Sequence, residues 1–227
     1  MNIIKNQSPN YTNKSYIKNA VILHTSLGTF DGGVSWILNP QSRVSYHYLI
    51  SRDGEIVELV HPGKVAWHSG NVHAPNDKGK RILKKNNLGQ YVNPNTHTIG
   101  VAFANTERQS ITEDQIETCV ELLQYLDERF KLNLTKNNLV THRDITSYKP
   151  NIDSWMTKIQ ARLFGSSFAD KHRGKIFINV EGKGEAWWVN PKDLKRYYLG
   201  KPAHALKVFK KHGIGITKKN LLRIPKA

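Results

Sequence analysis

A chain of 227 residues, 38% hydrophobic and 23% charged, has apolar side chains enough for one medium-sized core and a small second unit, and too ordinary a composition for a disordered or fibrous protein. Its 34 Lys and Arg against 18 Asp and Glu leave a formal charge of +16, which selects anionic partners such as nucleic acid, a membrane surface or an acidic wall polymer and does not bear on fold. The single cysteine, Cys119, excludes an internal disulfide and a multi-cysteine zinc site, and no run of about 18 apolar residues is present to span a membrane.

In chain order, residues 1–16 (MNIIKNQSPNYTNKSY) are rich in Asn, Ser and Lys and read as a polar N-terminal arm, flexible or lying on the surface. They lack the apolar stretch of a secretory signal, so the protein is expected to be made in the cytoplasm. NAVILHTS is a short buried strand ending at His24. GGVSWILNPQSRVS reads as a helix that stops near Pro40. SYHYLISRDGEIVELV is two strand runs around Asp53-Gly54, a strong hairpin signal. Tyr46 and His47 alternate there, so one of them faces the core. PNDKGKRILKKNNLGQYVNPNTH is polar and irregular, an insertion or loop, and THTIGVAFAN is a further strand.

TEDQIETCVELLQYLDERF has a capping threonine, Thr112, an acidic first turn, and Ile116, Val120, Leu123 and Leu126 at helical spacing. That is an amphipathic helix with Cys119 as a small core residue. NNLVTH follows as a strand and IDSWMTKIQARLF as a helix closed by Gly165. Alternating strands and helices make the fold class α/β, a mixed central sheet flanked by helices. The main domain spans residues 17–164.

After a linker at 165–173 the texture changes to short strands, Gly-rich turns and one short helix, a small α+β module over residues 174–227. Residues 165–227 hold fifteen Lys and Arg against four Asp and Glu, so this module carries most of the charge. Trp187, Trp188, Tyr197 and Tyr198 are interleaved with Lys192, Lys195, Arg196 and Lys201. Trp187, Trp188, Tyr197 and Arg196 are candidates for stacking on sugar rings and attracting anionic envelope polymers. The plainer reading makes the aromatics the core of a small domain and the lysines its solvated face.

His24 and His142 each follow an apolar strand, and in a sheet such strand ends can be neighbours. A catalytic zinc ion needs three protein ligands of nitrogen or oxygen type and one open position for water. His24 and His142 supply two nitrogens and Asp153 a carboxylate. Lys149, between the second and third ligands, suits a cation that stabilises charge developing on a carbonyl oxygen. Asp144 is the rival carboxylate. A residue two past a strand-end ligand normally points away or caps the next turn, which favours Asp153.

VILHTS, SYHYLISRDGEIVELV, VAWHSG, TIGVAFAN and THRDITSYKPNID, in this order over residues 20 to about 155, resemble the zinc-dependent N-acetylmuramoyl-L-alanine amidases, a family that includes amidase-type phage lysozymes and peptidoglycan recognition proteins. The resemblance implies one sheet with helices packed on it, a Zn2+ cofactor, and hydrolysis of the amide between the lactyl group of N-acetylmuramic acid and L-alanine in bacterial peptidoglycan. It places the two histidine ligands on His24 and His142 and the oxyanion donors on Tyr46 and Lys149. His68 matches a histidine of the family's groove that contacts substrate, and Trp67 lies beside it.

The chain departs from the family in two places. Three residues separate Lys149 from Asp153 where members often have one, and Ala102 stands where many carry a glutamate. The functional expectation is a bacteriolytic wall hydrolase, a phage endolysin made in the host cytoplasm and acting on the wall. The alternatives are a non-catalytic peptidoglycan-binding protein and, third, a nucleic-acid binder on an inactive amidase scaffold.

Overall fold

The apolar runs of the first 165 residues become the strands of one sheet. The computed structural model describes residues 2–105, 109–165, 172–179, 184–192, 195–200 and 202–212, and the chain divides into two compact units, Met1–Gly165 and Ser166–Ala227. The first unit runs β1 (Ile4–Lys5), β2 (Tyr11–Thr12), β3 (Ala20–Leu27), α1 (Phe30–Leu38), β4 (Tyr48–Ile50), β5 (Ile56–Glu58), β6 (Val65–Ala66), α2 (Asp77–Ile82), β7 (Thr98–Asn105), α3 (Glu113–Phe130), β8 (Leu139–Thr141), α4 (His142–Ile145) and α5 (Asp153–Phe164). Six strands form a sheet in the order β1-β5-β4-β7-β3-β8. Neighbours are parallel except β4 and β5, which form the hairpin expected around Asp53-Gly54. Gly54 takes φ +84° in that turn, and a Cβ there would stand 2.7 Å from Thr118 Oγ1.

Strand alternation sorts the two faces of this mixed α/β fold. Val21, Leu23, Val101 and Phe103 face α3 and α5 and pack with Leu122, Leu123 and Ile159 in the larger core. Each such buried aliphatic stabilises the fold by about 1.5–3 kcal/mol relative to exposure. The helix α3 begins at a reciprocal cap, Thr112 Oγ1 accepting from the Gln115 N–H at 3.1 Å while Gln115 Oε1 accepts from the Thr112 N–H. Cys119 is fully buried on its inner side.

The opposite face carries two separate clusters. Ile37 of α1 packs with Leu49, Ala102 and Ala104, and Ile22 and Val140 pack with Ile82 of α2 and Ile145 of α4. His24 follows Ile22 by two residues, shares its face, and emerges between the two clusters.

Residues 2–16 lie along the surface and are tied to it. β1 pairs with β5 and β2 with β6, while Ser8 Oγ and Asn10 Nδ2 donate to the Ile37 carbonyl at 2.7 and 3.0 Å. The arm's polar side chains thus satisfy a backbone acceptor at the end of α1. The segment read as a loop after Pro75 contains α2, whose cap Asn76 accepts from the Gly79 N–H at 3.0 Å. At six residues it is too short for hydrophobic periodicity to reveal.

In the second unit β9 (Ile176–Ile178), β10 (Ala186–Val189) and β11 (Arg196–Tyr198) form an antiparallel sheet in the order β11-β10-β9, followed by α6 (Pro202–His212).

Candidate active site

Register brings His24 and His142 together. β3 and β8 are parallel neighbours with Leu23 opposite Thr141, so His24 and His142, each one residue further on, stand side by side at one level; β8 ends at Thr141, whereas β3 runs past His24, where it was expected to stop, to Leu27 because β7 pairs with it that far. Nδ1 of His24 stands 3.0 Å from Nδ1 of His142, and Nε2 of His24 stands 3.0 Å from Nδ1 of His68. Burial first, then the neighbouring imidazoles, holds the pKa of His24 well below 6.5; burial does the same for His68. Burial together with the charge of Lys149 pushes His142 down to about 4. The three rings are therefore neutral at pH 7, the state in which an imidazole ligates a metal through its bare nitrogen.

The acids do not join the pair. Asp144 is buried in the cap of α4, where Oδ2 accepts from the N–H and hydroxyl of Thr141 at 2.7 and 2.9 Å and Oδ1 accepts from Asn76 Nδ2 at 2.7 Å. Asp153, the expected third ligand, is the exposed first residue of α5, with its N–H donating to Asn151 Oδ1 at 2.9 Å. Ile152 is the residue that turns into the core beside it, and the wall of the cleft ends there. Among the described residues no group of three His, Cys, Asp or Glu side chains is placed to hold a metal. The two imidazole nitrogens are neighbours, and neither carboxylate stands with them.

The histidine pair lines a cleft of about 360 Å3 together with Trp36, Tyr46, Trp67, Lys149 and Pro150. The Tyr46 ring lies 5.1 Å from that of His24, and burial pushes its phenol up to about 12, so it remains a donor at neutral pH. His47 takes the inward position: it is fully buried, its Nδ1 accepts from the Gly100 N–H at 2.9 Å, and its Nε2 lies 3.2 Å from the Lys64 carbonyl. Lys149 reaches the imidazoles through its charge, which lowers both His24 and His142. Trp67 is anchored to the arm, its Nε1–H donating to Thr12 Oγ1 at 3.0 Å.

His68 is buried beneath this wall, and both of its ring nitrogens have protein neighbours, Nδ1 facing His24 and Nε2 standing 3.3 Å from Thr98 Oγ1. Its ring is also among the groups that line the cleft. Ala102 sits opposite His24 in β7, so that neighbouring position carries a methyl group and no acid. Trp36 and Leu27, 57% and 54% exposed, form an apolar lip of the cleft.

A family model described as N-acetylmuramoyl-L-alanine amidase matches residues 13–154. The chain belongs to the N-acetylmuramoyl-L-alanine amidase family. The 1,6-anhydro-N-acetylmuramyl-L-alanine amidase AmpD of Haemophilus influenzae is 31% identical over 113 residues, which is 50% of this chain and 53% of that protein. N-acetylmuramoyl-L-alanine amidase A of Achromobacter lyticus is 45% identical over 65 residues, 28% of this chain and 37% of that protein. The chain thus aligns with about half or less of the length of these curated relatives. A mutant endolysin from Bacillus subtilis shares the fold with a TM-score of 0.51 at 16% identity, covering 70% of this chain and 97% of that one. The family match contains every candidate residue of the cleft and ends before the basic module.

Within that module, alternation in β10 divides the aromatics between two faces. Trp188 is opposite Tyr197, and its ring lies 6.2 Å from Phe209 and 6.1 Å from His212, both on α6. These form the module's own packing. Trp187 is opposite Tyr198 on the other face, with the Arg196 guanidinium 4.8 Å from its ring centroid and Tyr198 46% exposed. Lys201 lies outside the described residues.

Proposed function

We propose that this amidase is a zinc-dependent peptidoglycan hydrolase that cleaves the amide between the lactyl group of N-acetylmuramic acid and L-alanine, and that it serves as a phage endolysin acting on the bacterial wall. The observation that carries the reading is the meeting of two neutral imidazoles, Nδ1 to Nδ1 at 3.0 Å, in a cleft that also holds Tyr46 and Lys149. Nitrogens about 2.05 Å from a tetrahedral zinc stand about 3.3 Å apart, so His24 and His142 fit two corners of such a site with a shift of a few tenths of an ångström. Zinc held there would supply a Lewis acid and acidify a water for attack on the carbonyl. The proposed third ligand remains Asp153, the first carboxylate after Lys149 and the first residue of α5, and it requires the segment after Pro150 to turn its side chain inward.

The chain's own groups do the rest. Tyr46 donates its phenolic O–H, and Lys149 brings a positive charge, to the carbonyl oxygen as it gains negative charge. Proton transfer from the attacking water to the leaving alanine nitrogen would fall to Tyr46, Lys149 or the metal-bound water itself, since β7 offers only Ala102 beside His24. Trp36 and Trp67 supply flat apolar surface for the sugar or stem peptide. In the basic module the Trp187, Arg196 and Tyr198 face suits sugar stacking and attraction to anionic envelope polymers.

Digestion of purified peptidoglycan tests the reading. New free L-alanine amino groups with intact glycan strands are expected, and chelation should stop the release of amino groups; new reducing ends without amines would identify a glycosidase. A second reading, a peptidoglycan-binding protein without catalysis, is favoured by the exposed position of Asp153. It predicts binding to sacculi with no release of amino groups.

A further inference from the structure

His68 is held more firmly than a substrate contact would need. Its N–H donates to Asn95 Oδ1 at 3.2 Å, and the same oxygen accepts from the Ser69 N–H at 2.7 Å. The buried Lys18 ammonium donates to the carbonyls of Asn95 and Thr96 at 3.0 and 3.2 Å and fixes that loop. The ring lies against Gly100 of β7, where a Cβ would come within 2.5 Å of His68 Cγ, so a mid-strand glycine makes the space it occupies.

The hydrogen bonds around this ring have a forced direction. A hydroxyl has one proton, and Thr98 Oγ1 donates its own to the Pro94 carbonyl at 2.7 Å. Towards His68 Nε2, at 3.3 Å, Thr98 can therefore only accept, which puts the His68 proton on Nε2 and leaves Nδ1 bare. The 3.0 Å contact between His68 Nδ1 and His24 Nε2 then requires the proton on His24 Nε2. A neutral His24 so constrained has its lone pair on Nδ1, the atom that faces His142 and the cleft.

We infer that His68 is a positioning residue: with Thr98 and the Pro94 carbonyl it fixes the tautomer of His24 and holds the bare Nδ1 towards the cleft, ready for a metal. The tautomer itself is a property of the metal-free chain, and its consequence for zinc rests on the function proposed above. The 3.0 Å contact between the two Nδ1 atoms then makes His142 the donor in the metal-free chain, and because its ring is only partly buried it can give that proton up to solvent when a metal takes its place.

Long-range 1H–15N correlation spectra of 15N-histidine-labelled, metal-free protein at pH 7 test the tautomer directly. His24 is expected with a protonated Nε2 and an unprotonated Nδ1. Thr98→Val removes the acceptor, frees His68 to place its proton on Nδ1, and should raise the Nδ1–H population of His24. Zinc affinity, measured by competition with a chromophoric chelator, should fall about 10- to 100-fold in His68→Leu, and His68→Gln, which can still accept from His24 through its amide oxygen, should recover most of the loss. A parent protein with His24 mainly as the Nδ1–H tautomer would overturn the inference, as would folded His68→Leu that binds zinc as tightly as the parent. If His24 shows the expected tautomer and the parent binds no zinc, the relay stands and the zinc reading fails.

Discussion

Asp144 and Thr141 cap one another across the first turn of α4: the carboxylate accepts the Thr141 N–H and hydroxyl at 2.7 and 2.9 Å, and the Thr141 hydroxyl oxygen accepts the Asp144 N–H at 3.3 Å. The arrangement fixes where β8 stops, and so where His142 leaves the sheet.

The two acids should therefore behave oppositely. Asp144→Ala leaves two buried donors of Thr141 and one of Asn76 without a partner and should cost about 2–3 kcal/mol in denaturant unfolding, with zinc still bound by the folded fraction. Asp153→Ala removes an exposed residue from the first turn of a helix and should cost under about 1 kcal/mol while zinc is lost. Metal analysis of the two purified variants checks this, and Asp153→Ala with parental zinc content would rule out that ligand.

Tyr46→Phe and Lys149→Ala should each retain zinc and the fold while kcat falls on the order of 10- to 1000-fold, with KM changed less. Steady-state kinetics on a soluble muropeptide separates the two parameters. Parental turnover in either variant would make that residue part of the wall and no more.

Buried neutral histidines make the metal-free protein sensitive to acid. Burial pushes His47 down to about 3 and His97 down to about 4. For a histidine whose folded pKa is depressed, the unfolded chain binds the extra proton, so stability is present above the unfolded value near 6.5 and is lost as pH falls towards the folded value. From pH 6.5 to 5 the contribution of fully buried His47 is about 2 kcal/mol. Urea midpoints of metal-free protein at pH 7, 6 and 5 should fall steadily, and His47→Gln should flatten the slope.

Two adjacent tryptophans of the basic module should differ. Trp188→Ala opens the contact with Phe209 and α6 and should destabilise the module by about 3 kcal/mol or more. Trp187→Ala should leave it folded and weaken binding to sacculi, and the weakening should persist in high salt because stacking is not screened. Removing the chain after Gly165 should abolish the salt-dependent part of binding as well, as fifteen cationic residues against four anionic ones are lost from residues 165–227. Equal sacculus binding by all forms from about 0.05 to 0.5 M salt would remove the anchoring role.

What the sequence determined by itself lies in local pattern. The strand at NAVILH, the Asp53-Gly54 hairpin, the Thr112 cap and the helix from Glu113 are each specified by neighbours a few residues apart. Ordered motifs were enough to name His24, Tyr46, His142 and Lys149, which the structure brings to one cleft. Short elements escaped, since α2 and α4, at six and four residues, are held by caps and contacts from distant segments and carry no periodic signal of their own. Tertiary structure alone decided what depends on register and on which way a side chain turns. It set Leu23 opposite Thr141 and so joined two histidines 118 residues apart. It also buried His68 between His24, Thr98 and Gly100, turned Ile152 inward where Asp153 was expected, and split Trp187 from Trp188 across a sheet. A linear pattern records residue type and spacing, whereas proton positions and ligand geometry follow from distances of about 3 Å between groups far apart in the chain, which only packing supplies.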